Sequence, residues 1–192
     1  VAPTMKLEFV RDFYEHPAFI RAYAEEVRKT FGDRMPDRLL LSFHGLPERH
    51  VKRTDASGSH CLQKKDCCAQ IVAANRECYR AQCFATTRAL ARELGLASEK
   101  VIVSFQSRLG RTPWIQPFTD VVIPGLPSGG VKSLVVACPS FAADCLETIE
   151  EMGDRGRRLF ADAGGVEFRL ASCPNSSDSW ARGVVEIARS TR

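Results

Sequence analysis

Apolar positions along the chain fall into two alternating rhythms. In residues 17–31, Phe19, Ile20, Tyr23, Val27 and Phe31 recur at helical spacing, and Gly32 follows as a stop. Residues 38–43 form a short run of apolar and β-type side chains that ends in His44-Gly45, and Pro47 bars further pairing. The helical rhythm returns over residues 79–94, closed by Gly95. Residues 101–105, 133–138 and 167–171 read as three more short strands, the second stopped by Pro139. One long helix is predicted over residues 142–163, ending at Gly164-Gly165, and a last one over residues 178–189. Residues 106–127, interrupted by Gly110, Pro113, Trp114, Pro117, Pro124 and Pro127, read as loop, and residues 50–77 as a polar excursion. Strands alternating with helices predict parallel βαβ units, hence a three-layer α/β/α domain with a mainly parallel, Rossmann-like sheet.

Composition narrows the function classes. A chain of 192 residues with 44% hydrophobic and 26% charged residues is an ordinary soluble globular composition with room for a core. A net charge of +4 from scattered basic residues does not argue for nucleic-acid binding. No apolar run approaches the ~20 residues of a transmembrane helix, and no charged-then-apolar signal segment opens the chain, so the expected compartment is the cytoplasm. The chain begins Val1-Ala2-Pro3, without an initiator Met, as a processed product or a fragment does. Cysteines number eight, and five fall between Cys61 and Cys83, a density that favours metal over disulfides when no export signal is present.

Two segments carry candidate chemistry. The strand ending at His44 delivers an imidazole to the carboxyl edge of a parallel sheet, where ligand crevices of open α/β folds lie; the alternative is a histidine satisfied by a loop hydrogen bond. The helix after residue 138 starts at the same edge. Its Glu147 and Glu151 share a face, with Asp144 one turn earlier, as a solvated acidic stripe or a cation path. Imidazole plus carboxylate suits a divalent transition metal and suits proton transfer. Arg155, Arg157 and Arg158 read as a solvated face.

Three motifs, SFHGLPER, FQSRLGRTPW and ACPSFAADCLETIEE, in this order and spacing, resemble ferrochelatase, a class II chelatase that inserts ferrous iron into a porphyrin. The resemblance runs from about Phe13 to the carboxyl end. It implies that His44 and Glu147 are the catalytic pair meeting the Fe²⁺ substrate, and that Glu151 and Trp114 lie at the porphyrin. Where the family often has a further acid, this chain has Arg155. Protoporphyrin IX or a related porphyrin is the implied substrate. A chelatase for another tetrapyrrole, or a non-catalytic iron–sulfur module, is the alternative; a homodimer or a peripheral membrane contact is left open.

Cys61, Cys67, Cys68 and Cys78 are spaced C-x₅-C-C-x₉-C, and spacing alone leaves a [2Fe–2S] centre and a tetrahedral Zn²⁺ both open. The resemblance implies these four as [2Fe–2S] ligands, with His60 a minor alternative and Cys83, Cys138 and Cys145 small core residues. It also implies a domain reading. Residues 1–174 would be a second chelatase lobe, incomplete at its start, with the insert at about 53–78; residues 175–192 would be a helix that packs on a first lobe.

Overall fold

The computed structural model describes residues 5–190, so the Val1-Ala2-Pro3 opening lies outside the described residues. Strands β1 (Arg38–His44), β2 (Val101–Gln106), β3 (Ser133–Ala137) and β4 (Glu167–Leu170) form one parallel sheet in the order β2-β1-β3-β4. The central strand is β1, where Leu39 pairs with Val101 on one side and Val135 on the other. From β1 the chain moves out to β2, and from β3 it moves out to β4 on the other flank. The topological switch point therefore lies between the carboxyl ends of β1 and β3.

Helices cover both faces. Helices α1 (Pro17–Phe31), α3 (Tyr79–Leu94) and α6 (Asp178–Arg189) lie on one side, over Leu39, Leu41, Phe43, Val135 and Phe105. Helices α4 (Thr119–Gly125) and α5 (Arg157–Asp162) lie on the other, where Ile123 and Phe160 meet Leu40, Leu134 and Val136. Successive strand residues face opposite sides, and both sides are dry, so β1 reads as a continuous apolar run. Each of Leu39, Leu40 and Leu41 is fully buried, and each such side chain contributes roughly 1.5–3 kcal/mol.

Local chemistry explains the helix bounds. The His16 ring Nδ1 accepts the Ala18 N–H at 3.2 Å, and Pro17 opens the first turn of α1 where no N–H is needed. Gly95, at φ +66°, ends α3 in a left-handed cap. Ser177 caps α6. That helix packs on α1 through buried Ile187 and through Gly183, where an added Cβ would sit 3.4 Å from the Ala18 carbonyl; Val184 and Val185 are exposed. No helix among the described residues is long and apolar enough to cross a membrane.

The structure departs from the sequence reading in three places. A short helix, α2 (Glu48–Arg53), follows Pro47, held by a Lys52–Glu48 pair at 2.9 Å, where a polar excursion was expected. Helix α4 lies within the stretch expected as loop, with Pro124 in its last turn. The long helix expected over residues 142–163 begins only at Glu147 and is π-helical over Glu147–Gly156 before continuing as α5. Asp144 therefore precedes the helix and does not share a face with Glu147.

Candidate functional site

His44 is the last residue of β1 and sits half-buried beside the switch point. Its backbone is fixed from both sides: its N–H donates to Ser140 Oγ at 2.8 Å, and its carbonyl accepts from the Tyr79 hydroxyl at 2.9 Å. The imidazole Nδ1 lies 2.7 Å from the Gly45 carbonyl. A carbonyl only accepts, so Nδ1 carries the proton and the Nε2 lone pair is left to take a proton or a metal.

Gly45 makes this corner possible. Its N–H donates to the Gln106 carbonyl at 2.8 Å, and a Cβ here would lie 2.9 Å from that carbonyl and 3.2 Å from the Trp114 ring. The first obstacle is backbone, which cannot swing aside. Gly45→Ala is therefore expected to destabilise the protein by roughly 1–3 kcal/mol, read as a lower melting temperature and urea midpoint; an unchanged midpoint would show that the corner has slack.

Glu147 opens the π-helical stretch from the neighbouring strand end. The Cys145 thiol, the residue's own backbone amide and the His44 imidazole together hold its carboxyl below the ordinary carboxylate value. Of these the His44 imidazole has the smallest effect; His44 and Glu147 are linked structurally through Gln106, which pairs with His44 in the sheet. Buried Gln106 donates through Nε2 to the Glu147 carbonyl at 2.9 Å, which ties the end of β2 to the same helix start.

Glu151 is turned to a different task. Its carboxylate accepts the Ser107 N–H at 2.8 Å and the Ser107 hydroxyl at 2.5 Å, and Arg155 approaches it at 3.5 Å. Ser107 has φ +64°, a left-handed conformation that costs a non-glycine residue, and the double contact with Glu151 holds it there. Asp144 also serves structure: its carboxylate accepts from the Asn175 amide at 2.7 Å and the Cys173 N–H at 3.1 Å, which anchors the segment after β4. Trp114 lies against Gly45 and donates its Nε1–H to the Leu109 carbonyl at 2.9 Å. A cavity of about 360 Å³ is lined by Gln106, Ser107, Glu151 and Arg155, and one of about 270 Å³ by Phe43, Tyr79, Pro139 and Ser140; neither is lined by His44 or Glu147.

Ser140, Tyr79 and Gln106 escaped the sequence reading, and Cys145, expected as a small core residue, is only partly buried, with its thiol against Glu147. Ser140 carried a signal, since it follows Pro139 at the end of an apolar strand on the same edge. The others reach the rim only through tertiary packing.

Cys61, Cys67, Cys68 and Cys78 are all buried and free of disulfides. Cys67 and Cys68 sulfurs lie 3.7 Å apart, and the Cys78 thiol interacts with both Cys61 and Cys68. Two donors address sulfur: the Arg80 Nη1 donates to Cys68 Sγ at 3.0 Å, and the Leu62 N–H to Cys67 Sγ at 3.4 Å. A polar frame supports the thiols at the margin of the main apolar core, with Leu62 and Ile71 packed beside them. The Asp55 carboxylate accepts the N–H groups of Cys61 and His60 at 2.7 Å and that of Ser57 at 2.9 Å, which pulls its carboxyl well below the ordinary range. Buried Asn75 donates to the Cys67 and Gln70 carbonyls at 2.7 and 2.8 Å. His60 lies with Nε2 3.0 Å from the Cys67 carbonyl. Among the described residues, no three or more His, Cys, Asp or Glu side chains are arranged to hold a metal ion. Cys83 is buried near the pocket, within electrostatic reach of Cys68, while Cys138 and Cys173 are buried around the Tyr23 hydroxyl, and burial pushes the Cys173 thiol up to about 12.

A family model described as Ferrochelatase matches residues 1–192. The chain is similar to a ferrochelatase of Pseudomonas entomophila, 48% identical over 179 residues, covering 93% of this chain and 53% of that protein. A ferrochelatase of Azotobacter vinelandii is 44% identical over 187 residues, covering 97% and 55%. The chain thus spans about half the length of the curated relatives it matches. Among solved structures, a multi-domain protein of Deinococcus radiodurans with structural similarity to chelatases shares the fold, with a TM-score of 0.53 at 16% identity over 93% of this chain and 30% of that one.

Proposed function

The chain belongs to the ferrochelatase family, and on that premise we propose that it forms one lobe of a cytoplasmic enzyme that inserts ferrous iron into a porphyrin, with His44 and Glu147 at the insertion site. The observation that carries this reading is the placement of His44 at the switch point of the sheet, tied through Gln106 to the helix start that bears Glu147. A free-base porphyrin must lose two pyrrole protons as Fe²⁺ enters. The Nε2 lone pair of His44, left available by the Nδ1 contact with Gly45, can take such a proton or ligate the iron. Glu147, held ionised, offsets cationic charge and passes protons to solvent. Glu151 acts by fixing Ser107 and the loop that carries Trp114, whose ring offers a stacking face beside the pair. Residues 1–174 would form the second lobe, and the exposed Val184 and Val185 of α6 a surface for the first.

The four buried thiols fit a [2Fe–2S] centre by their donor chemistry. They are soft ligands gathered in one pocket, with a guanidinium and a backbone N–H already directed at sulfur. A two-iron cluster divides its thiolates between two metals, so it does not need three on one point, as a zinc shell does. Cys61, Cys67, Cys68 and Cys78 would hold it. Bound, the cluster would supply folding free energy to a segment with little apolar core and a one-electron centre.

The test is iron insertion by the full-length parent, offered protoporphyrin, coproporphyrin and sirohydrochlorin in turn. Turnover with a porphyrin supports the reading. Turnover with sirohydrochlorin alone would move the enzyme to another tetrapyrrole, and none with any would leave a binding module.

A further inference from the structure

Three consecutive residues at the start of α3 reach three different structures. The Cys78 thiol enters the four-thiol pocket, the Tyr79 hydroxyl donates to the His44 carbonyl, and Arg80 bridges the pocket and the rim loop. Its Nη1 donates to Cys68 Sγ at 3.0 Å and its Nε to the Gln116 carbonyl at 3.0 Å, while the guanidinium lies 4.8 Å from the centre of the Phe84 ring. Gln116 follows Ile115, whose N–H donates to the Leu46 carbonyl at 3.0 Å beside His44-Gly45. The guanidinium is thus held by a sulfur, a carbonyl and an aromatic face. Its charge is permanent and its fork is rigid.

A cation hydrogen-bonded to a ligand sulfur favours the state that carries more negative charge. Reduction of a [2Fe–2S] centre adds one electron and no bond is made or broken. Resting on the reading of the four cysteines as cluster ligands, we propose that Arg80 is a positioning residue that raises the reduction potential of that cluster through Cys68 and ties its pocket to the loop bearing Trp114. Arg88 provides the internal contrast: its Nη1 donates to the Cys68 carbonyl at 3.2 Å and not to the sulfur.

The test is a reductive titration of the full-length protein with dithionite as electron donor, followed by visible absorption. Arg80→Gln is expected to lower the potential by about a tenfold change in the oxidised-to-reduced ratio, which is ~59 mV for one electron. R80K is expected to retain most of the wild-type value, and R88Q to shift it less than R80Q. Amide exchange over residues 113–117 is expected to quicken in R80Q. An unshifted R80Q, or an equal shift in R88Q, would overturn the assignment. Should R80Q fail to hold its cluster, a wild-type potential in R80K supports the role of charge, and cluster loss from both variants with an intact fold overturns it. A wild-type protein without iron and sulfide would instead overturn the cluster reading and this inference with it; a wild-type cluster beside an unshifted R80Q overturns this inference alone.

Discussion

Replacing His44 by alanine in the full-length enzyme is expected to slow iron insertion by roughly 10²–10⁴-fold, the range that a positioned acid or base contributes, with little change in stability. The two halves of this expectation have separate causes. The rate falls because the Nε2 lone pair is lost, and Glu147, though ionised, cannot both receive a pyrrole proton and orient the incoming metal. Stability survives because β1 does not depend on the ring. The strand is held by its ladders to β2 and β3, by the Ser140 contact to the His44 N–H and by the Tyr79 contact to the His44 carbonyl, all of which are backbone features that alanine keeps. What the ring gives up at this half-buried position is its contact to the Gly45 carbonyl and a tilted ring contact with Phe141 at 6.0 Å, a change expected to cost about 1 kcal/mol. Steady-state kinetics beside thermal unfolding would separate the two. Near-normal turnover in H44A would remove the imidazole from the reaction.

Cys68→Ser is expected to abolish the visible absorption of the cluster and to unfold the segment around it, leaving the sheet in place. The magnitudes decide this. Structural metal sites carry apparent binding free energies of about 10 kcal/mol or more, comparable with the 5–15 kcal/mol that holds a whole domain together. Residues 54–78 have a polar frame built on Asp55 and Asn75 to set against such a loss. Without metal, Cys68 faces Cys78 and burial, which together push its thiol far above the ordinary range. Loss of exchange protection over the segment, with β1 to β4 still protected, is the expected hydrogen-exchange pattern. Stoichiometric zinc and no iron in the wild-type protein would contradict the cluster assignment.

Much of this architecture was legible because both rhythms of the chain have strong causes. The bounds of α1, α3 and α6 follow from apolar spacing with Pro17, Gly95 and Ser177 at their ends. Apolar runs marked β1, β2 and β3, while the edge strand β4 mixes Glu167 and Arg169 with buried Phe168; the alternation of strands with helices carried the parallel, layered arrangement. Short helices were hidden: α2 and α4 have six and seven residues, too few for a period, and Pro47, Pro117 and Pro124 around them read as breaks. The π-helical stretch from Glu147 was invisible because its start is set by tertiary partners of the preceding loop. Asp144 is drawn to Asn175 and Cys173, thirty residues downstream, and so leaves the helix it was expected to join.

Site residues divide in the same way. His44 and Glu147 could be picked out as candidates because His44 ends one strand and Glu147 lies in the segment after its neighbour, at the same edge of the sheet. Glu151 was expected at the porphyrin, yet its carboxylate is taken up by Ser107, whose left-handed backbone no spacing rule reveals. The four cysteines stood out by number, while the frame that gathers them depends on single hydrogen bonds to Asp55 and from Asn75.

The most direct test of the account is a double-mutant cycle in iron insertion by the full-length enzyme, using H44A, Glu147→Gln and the two together. Groups that serve one step as a unit lose far less in combination than the product of their separate losses. The predicted result is a double variant only a few-fold slower than H44A alone; losses that multiply in full would contradict a shared site.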